Sequence, residues 1–367
     1  QEDTAESEKN RLLQQALEKA RYINRFPGEF KDGSTAMIQK LMVALNREPG
    51  DPRDFATAFG IADNLRGDIQ QRLKHIREAQ GSEQVRQLIE LQPVLKEAVR
   101  ILQIGLAVAG PKDDLKDINR ARFYLAFFYY YMRDTRDLKP THSLDSALVA
   151  EFTARRLLTS QPDNALDAAF LAQAAYIQAY ASEPPEQRDA EIKRVIRVCN
   201  FITDNWPASD RANDARMDLG KVYTETHQPA EAAKWYQQVP ETAPQYLEAQ
   251  LAAGNAWWYA FQTESIRPEA ERKPKEELDA MVKQSQDILK SALTRFESQL
   301  TGDIGTVDQG KLVALTTAKA NYASILNGSG DYKTALDALT TGKLSVLAAI
   351  AAPEGDDKKR PAEGGIK

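Results

Sequence analysis

Residues 211–244 read RANDARMDLGKVYTETHQPAEAAKWYQQVPETAP, with residue types at the spacing that lets paired helices stack. Gly220 lies where two helix backbones can approach closely, and Leu219 and Tyr223 flank it on one face of the same helix. A break at residues 227–229 ends this helix, and a second helix follows and ends before the closing proline. The pattern therefore predicts a pair of helices that can stack on further copies of itself.

The spacing of these residues resembles that of the tetratricopeptide repeat (TPR) family, whose pattern is a Trp, a Leu-Gly pair, a Tyr, an Ala, a Phe and a closing Pro. The matching positions are Leu219, Gly220, Tyr223, Ala232 and Pro244. Tyr236 takes the place of the Phe, and Arg216 replaces the Trp. The resemblance implies a solenoid of helix pairs that acts as a scaffold. In such a solenoid, the side chains in the groove determine which ligand is bound.

Small residues at the same place in other predicted helices indicate further copies. They are Ala126, Ala174, Gly220, Gly254 and Ala323. Gly220 and Gly254 lie 34 residues apart, which equals the TPR period. The earlier copies need insertions, for which residues 134–143 and 181–187 provide room, and Ala172 would serve nearly as well as Ala174. We expect four or five irregular repeats between about residues 115 and 339.

The sequence before residue 110 lacks this pattern. Two apolar seams with spacings of three and four, one up to about Gln80 and one after Gly81, predict a long antiparallel helical hairpin. Two shorter helices, the second capped by Ser34, precede it. We therefore predict an all-α protein with three parts: an N-terminal helical module at residues 1–110, a TPR-like solenoid at 111–352 and a polar tail at 353–367.

Composition excludes several classes of protein. The chain has 367 residues, 42% of them hydrophobic, and a net charge of −5, so it has no global positive field that would attract nucleic acid or an anionic membrane. No apolar run approaches the roughly 18 residues of a membrane span. The single cysteine, Cys199, excludes an internal disulfide framework and a thiolate metal cage. We expect no nucleic-acid partner and no membrane span.

Residues that turn outward from the first helix of each pair are the predicted partner-binding groove. They are Phe123, Phe127, Tyr130, Met217, Lys221, Thr224, Asn255 and Trp258. Aromatic side chains with few rotamers make good anchors for a peptide. For the aromatic run at residues 123–131 there is an alternative, because a helix that is apolar all round is typical of packing on several sides.

Signatures of an enzyme are weak. The three histidines are scattered and have no metal-binding spacing, and no glycine-rich phosphate loop is present. Cys199 has apolar neighbours within one helical turn, which indicates a small core residue and not a reactive thiolate. We predict no catalytic, cofactor-binding or metal-binding residues and no cofactor. An all-helical toroid enzyme, with acids gathered at a central funnel, stays open as an alternative.

The two ends of the chain add two expectations. The polar opening without methionine favours an exported, processed protein of the periplasm or cell envelope, with a trimmed cytoplasmic segment as the alternative. The predicted last helix, at residues 343–352, is apolar round most of its surface, so self-association through it is a further possibility. The sequence as a whole predicts a non-enzymatic scaffold for a protein or peptide partner, or a structural subunit that assembles through its ends.

Overall fold

The computed structural model describes residues 2–24, 51–184, 188–299, 309–342 and 345–347, with the single positions 30, 33, 34, 37, 38, 40, 41 and 186. Within these residues the protein is all-α, with thirteen α-helices and no strand, which confirms the predicted fold class. The second predicted helix at the N-terminus and the polar tail fall wholly or largely outside the described residues. Of the predicted last helix only residues 345–347 are described.

The helices lie in two compact units, Gln1–Val198 and Cys199–Lys367. The helices that begin in the first unit are α1 Glu2–Asn24, α2 Phe55–Glu78, α3 Gly81–Val108, α4 Leu115–Tyr131, α5 Ser143–Leu157, α6 Pro162–Ser182 and α7 Asp189–Asn205. Those of the second are α8 Asp210–Glu225, α9 Pro229–Gln237, α10 Tyr246–Ser265, α11 Lys275–Gln299, α12 Gln309–Gly328 and α13 Tyr332–Thr340. The division passes through α7.

The predicted antiparallel hairpin is present as α2 and α3. Asp54 caps α2 by accepting a 2.8 Å hydrogen bond from the Thr57 amide, and Gly81 reverses the chain with a φ of +59°. The two helices approach closely where Gly105 faces Ala58, since a Cβ on Gly105 would lie 2.6 Å from that of Ala58. The apolar seams therefore face each other along the hairpin.

The hairpin shares its core with α4. Leu95 and Leu102 of α3 are buried in one cluster with Leu125 and Phe128 of α4. Hydrogen bonds also join α3 to α4, among them one from Gln103 Nε2 to the Tyr129 hydroxyl at 2.7 Å. The predicted boundary at residue 110 therefore lies inside one unit, and the core continues across it because α4 is apolar on several faces.

Taken two at a time along the chain, the helices from α4 onward are α4–α5, α6–α7, α8–α9, α10–α11 and α12–α13, and we call each two a pair. In each unit, helices pack mainly on their neighbours along the chain, which is the arrangement of a helical solenoid. The five small residues predicted to permit nesting lie on the first helix of each pair. In α6, however, Ala172 is fully buried and Ala174 only half-buried, because α6 is apolar on most faces and its spacing leaves the register open.

Two glycines show how closely paired helices approach. A Cβ on Gly220 would lie 2.4 to 2.6 Å from three ring carbons of Tyr236, and a Cβ on Gly254 would lie 2.5 Å from Leu289. Real Cβ atoms do not come so close, so both positions need glycine unless the neighbour moves. The prediction that Gly220 marks a close helix contact is confirmed.

The turns inside two of the pairs are built alike. His227 between α8 and α9 and Gly330 between α12 and α13 both have positive φ, at +57° and +84°. After each, the next amide bonds back to a carbonyl five residues earlier, Gln228 to Tyr223 at 2.8 Å and Asp331 to Leu326 at 3.0 Å. This is the left-handed end of a helix, which glycine adopts without strain and histidine does not.

Candidate functional site

A pocket of about 190 Å³ lies between α4, the end of α5 and the start of α6. It is the opening between the first helices of two successive pairs, the place where the sequence predicts a groove. Its lining residues are Lys116, Asn119, Arg120, Phe123, Tyr124, Leu157, Gln161, Asn164 and Asp167. We call it the α4–α6 pocket.

The α4 wall of this pocket combines cations with aromatic rings. Asp114 caps the start of this helix, and its carboxylate accepts a 2.8 Å hydrogen bond from the Lys116 amide. The Arg120 guanidinium donates to the Tyr124 hydroxyl at 3.2 Å and lies 5.3 Å from the centre of the Phe59 ring. The hydrogen bond to Tyr124 raises the pKa of Arg120, so this cation is held in place and stays charged.

The α6 wall offers amides and a carboxylate. Gln161 precedes the proline that opens α6, and its side chain accepts a 2.6 Å hydrogen bond from Asn164. Asp167 follows on the same helix and is exposed. Neither Asp167 nor Lys116 of the opposite wall forms an ion pair with any residue that the structure describes. The pocket thus presents an unpaired charge of each sign and several hydrogen-bonding amides.

Of the predicted groove residues on α4, only Phe123 lines this pocket. Phe127 packs against Tyr131, with ring centres 5.0 Å apart, and is partly buried against the core of the first unit. Tyr130 is half-buried beside Tyr131, and burial raises its pKa. The aromatic run is therefore mainly core, which is the alternative interpretation given by its all-round apolarity.

The predicted groove residues on α8 lie in different environments. Met217 is buried in the core with Tyr236, so its placement at an open surface was wrong. The buried face of α8 is wider than one stripe of residues and includes it. Lys221 is exposed and pairs with Asp218 at 3.4 Å. Thr224 donates its hydroxyl to the Gly220 carbonyl at 2.8 Å.

The two predicted groove residues on α10 hold neighbouring helices together. Asn255 accepts a 2.9 Å hydrogen bond from Asn321 of α12. Trp258 stacks on Phe261, with ring centres 5.2 Å apart, and is partly buried against the α11–α13 core. First helices of successive pairs therefore contact each other here, as the repeat pattern predicts, but these two side chains are engaged in that contact.

Sequence reasoning missed most of the lining of the α4–α6 pocket. A signal was available, because Lys116, Asn119, Arg120 and Phe123 recur at spacings of three and four on one face of α4. The α6 side carried no such signal, since Asn164 and Asp167 look like ordinary exposed residues of the first two turns of a helix. Only tertiary contact between α4 and α6 brings the two sets together.

A second cluster of titratable groups lies between α5, α6 and α7. The Glu151 carboxylate accepts hydrogen bonds from the Tyr176 hydroxyl at 2.6 Å, from Arg155 at 2.8 Å and from Arg197 at 3.0 Å. Burial alone would raise the pKa of Glu151, but these hydrogen bonds outweigh it and lower the pKa. Burial and the bond to Glu151 raise the pKa of Tyr176. Every partner here is engaged, so we assign this cluster to holding three helices together.

Other chemistry is sparse in the part of the chain that the structure describes. Cys199 is buried, and burial raises its pKa, which confirms the prediction of a core thiol. Among the described residues no three His, Cys, Asp or Glu side chains are grouped to hold a metal ion. None of the described helices is long and apolar enough to cross a membrane.

Comparison with protein-family models and with curated proteins gives no match.

Proposed function

We propose that this protein is a non-enzymatic interaction scaffold, and that the α4–α6 pocket holds a side chain of a protein or peptide partner. The observation that carries the proposal is the size and lining of the pocket. Its volume of about 190 Å³ is below the roughly 300 Å³ at which pockets for drug-sized ligands begin. A cavity of this size suits one anchoring side chain of a larger partner.

The lining supports a peptide as the ligand. Phe123 and Tyr124 offer rigid aromatic surface to an apolar or planar side chain. The amides of Gln161 and Asn164 can donate to and accept from the backbone of an extended segment. Lys116 and Asp167, which have no ion-pair partner among the described residues, can pair with charges on either side of the anchor.

The experiment is a selection from a random peptide library on the full chain, followed by binding measurements with pocket variants. Asn164→Trp fills the pocket from an exposed position, and Asp167→Lys and Lys116→Glu reverse its two unpaired charges. We expect selected peptides to bind the wild type and to lose most of their affinity for Asn164→Trp. Lys221→Glu, an exposed change on α8, is the control and leaves binding unchanged.

Two results would overturn this proposal. One is the absence of any enriched peptide. The other is binding that survives Asn164→Trp but is lost with Lys221→Glu, which would move the site to the second unit, where the sequence also predicts groove residues.

Self-association is a second candidate, favoured by exposed apolar residues at the end of the described chain. Tyr332 and Leu336 lie one turn apart on α13 and are 68% and 61% exposed. A dimer or larger assembly through this face predicts a molar mass that rises with concentration in light scattering and is restored to that of one chain by Tyr332→Ser with Leu336→Ser. A constant mass of one chain at all concentrations excludes it.

A further inference from the structure

Two arginines lie close to the ring of one exposed phenylalanine on the surface of the first unit. Phe152 of α5 is 41% exposed, and the guanidinium carbons of Arg122 and Arg156 lie 5.3 and 5.1 Å from its ring centre. Leu148, one turn earlier on α5, is 46% exposed and extends the apolar strip. We call Arg122, Phe152 and Arg156 the Arg-Phe-Arg patch.

The two arginines of this patch have no carboxylate partner among the residues that the structure describes. In the part of the chain that the structure describes, no Asp or Glu oxygen lies within 4.0 Å of either guanidinium. Arg122 instead donates a 2.8 Å hydrogen bond to the Asn119 side chain. The next arginine, Arg155, differs, since it pairs with Glu151 at 2.8 Å. Within the described part of the chain, two cations beside one ring are thus without a counter-charge.

This arrangement is unfavourable without an anion. Arg122 is half-buried, and burial together with the charge of Arg156 lowers its pKa. A guanidinium that lies near an aromatic face still has N–H groups in its plane, which can bind a carboxylate with two parallel hydrogen bonds. A carboxylate placed between Arg122 and Arg156 would relieve their repulsion and use these donors.

The patch also adjoins the α4–α6 pocket. Asn119, which accepts the hydrogen bond from Arg122, lines that pocket, and Leu157, which follows Arg156, lines it too. A peptide seated in the pocket therefore has the patch within reach of its neighbouring residues.

We propose that the Arg-Phe-Arg patch binds an acidic segment of the partner, with a Glu or Asp side chain between the arginines and an apolar side chain against Phe152 and Leu148. The proposal rests on the proposed function, because it names the chemistry of the peptide that the scaffold takes. Charge complementarity selects this occupant. A nucleic acid is disfavoured, since the chain as a whole has a net charge of −5 and would repel a polyanion beyond the patch.

The test uses the full chain and a panel of labelled synthetic peptides measured by fluorescence anisotropy. Each acidic peptide carries glutamates on both sides of one leucine or phenylalanine, and its twin carries glutamines instead; neutral and basic peptides complete the panel. The variants are Arg156→Gln, which is exposed, Arg122→Gln and the pair. Arg86→Gln on α3, where the arginine is exposed and paired with Glu83, is the charge-matched control.

We expect acidic peptides to bind more tightly than their glutamine twins, and each patch arginine to account for about a tenfold change in Kd, the size of one charge-assisted contact. Arg86→Gln leaves the Kd within about twofold. If no peptide of any composition binds, both this proposal and the proposed function fail. If peptides bind without preference for the acidic twin, or bind Arg156→Gln as well as wild type, this proposal alone fails. Tighter binding of a single-stranded oligonucleotide through the same arginines would also overturn it.

Discussion

Two contacts between helices in this molecule hold neighbouring helices together in different ways. Between α8 and α9 of the second unit a glycine removes a side chain, so that the Tyr236 ring lies directly on the backbone of the neighbouring helix. Between α5, α6 and α7 of the first unit a buried glutamate is surrounded by a tyrosine and two arginines. The first contact depends on shape alone, and the second depends on charge and on three helices being in register.

The two contacts are therefore weakened by different kinds of substitution. A contact made by shape is damaged by added volume and is indifferent to pH. A contact made by a buried carboxylate tolerates similar volume but is damaged by the loss of charge, because its arginine and tyrosine partners are then left without their acceptor.

The largest expected effect is that of Gly220→Ala. The added Cβ meets the Tyr236 ring at 2.4 Å, so the ring or the two helices must shift, and we expect the free energy of unfolding to fall by about 3 kcal/mol. Gly67→Ala is the matched control, because this glycine lies in the interior of α2 with nothing within 4 Å of the new atom. That change should stabilise the protein by about 0.5–1 kcal/mol. Urea unfolding measures both, and equal signs would contradict the close contact at Gly220.

Glu151→Gln comes next and tests the other contact. The substitution keeps the size of the side chain and removes its charge, so Arg155, Arg197 and Tyr176 lose a charged acceptor. We expect a loss of about 2 kcal/mol, less than for a fully buried pair because both arginines are half-exposed. Glu83→Gln, at an exposed pair with Arg86, should cost under about 0.5 kcal/mol. Similar losses at the two positions would show that the cluster is no stronger than a surface ion pair.

The stability that Glu151 contributes should depend on pH. The pKa of Glu151 is lower in the folded protein than the value of about 4.3 expected in the unfolded chain. The contribution of Glu151 to stability is therefore complete well above about pH 4.3, and it is lost as the pH falls through the pKa of the folded protein. The difference in unfolding free energy between wild type and Glu151→Gln should stay constant from neutral pH down to about pH 5 and shrink below about pH 4. A difference that does not change with pH would contradict the charged state of Glu151.

The smallest effect is expected at the turn between α8 and α9. His227 has a φ of +57°, which strains a side chain with a Cβ, whereas Gly330 occupies the equivalent turn without strain. His227→Gly should stabilise the protein by about 0.5 kcal/mol, the net of about 1–2 kcal/mol of relieved strain and about 1 kcal/mol of extra chain entropy. Gly330→Ala should destabilise it. Thermal unfolding of the two variants measures this, and a destabilising His227→Gly would show that the histidine side chain is needed.

The same contrast explains what could be predicted from the sequence. Gly220, the break after it and Tyr236 all lie within one helix pair, so local spacing was enough to place a close contact there. Glu151, Tyr176 and Arg197 come from three helices, and no spacing pattern along the chain predicts that they contact each other. The helix pairs were therefore predictable, whereas the buried cluster was not.

In the candidate site, too, local spacing predicts part of the lining and tertiary contacts determine the rest. Phe123 was predicted from its position on α4, but its partners across the pocket, Asn164 and Asp167, depend on how α6 packs beside it. Met217 was assigned to the groove by helical spacing alone and is buried, because the face of α8 that packs on α9 and its neighbours is wider than a single stripe. Sequence spacing predicts which residues share one face of a helix. Only the tertiary structure shows which of these faces remain exposed to solvent.

Hydrogen exchange of the full chain with and without a library-selected peptide is the strongest test that the partner binds in the α4–α6 pocket. If the α4–α6 pocket holds the partner, the amides of α4 around residues 116–124 and those around residues 161–167 should gain protection, and the amides of α8 and α10 should not change. Protection confined to α8 and α10, or none at residues 116–124 at a saturating peptide concentration, would show that the partner does not bind in this pocket.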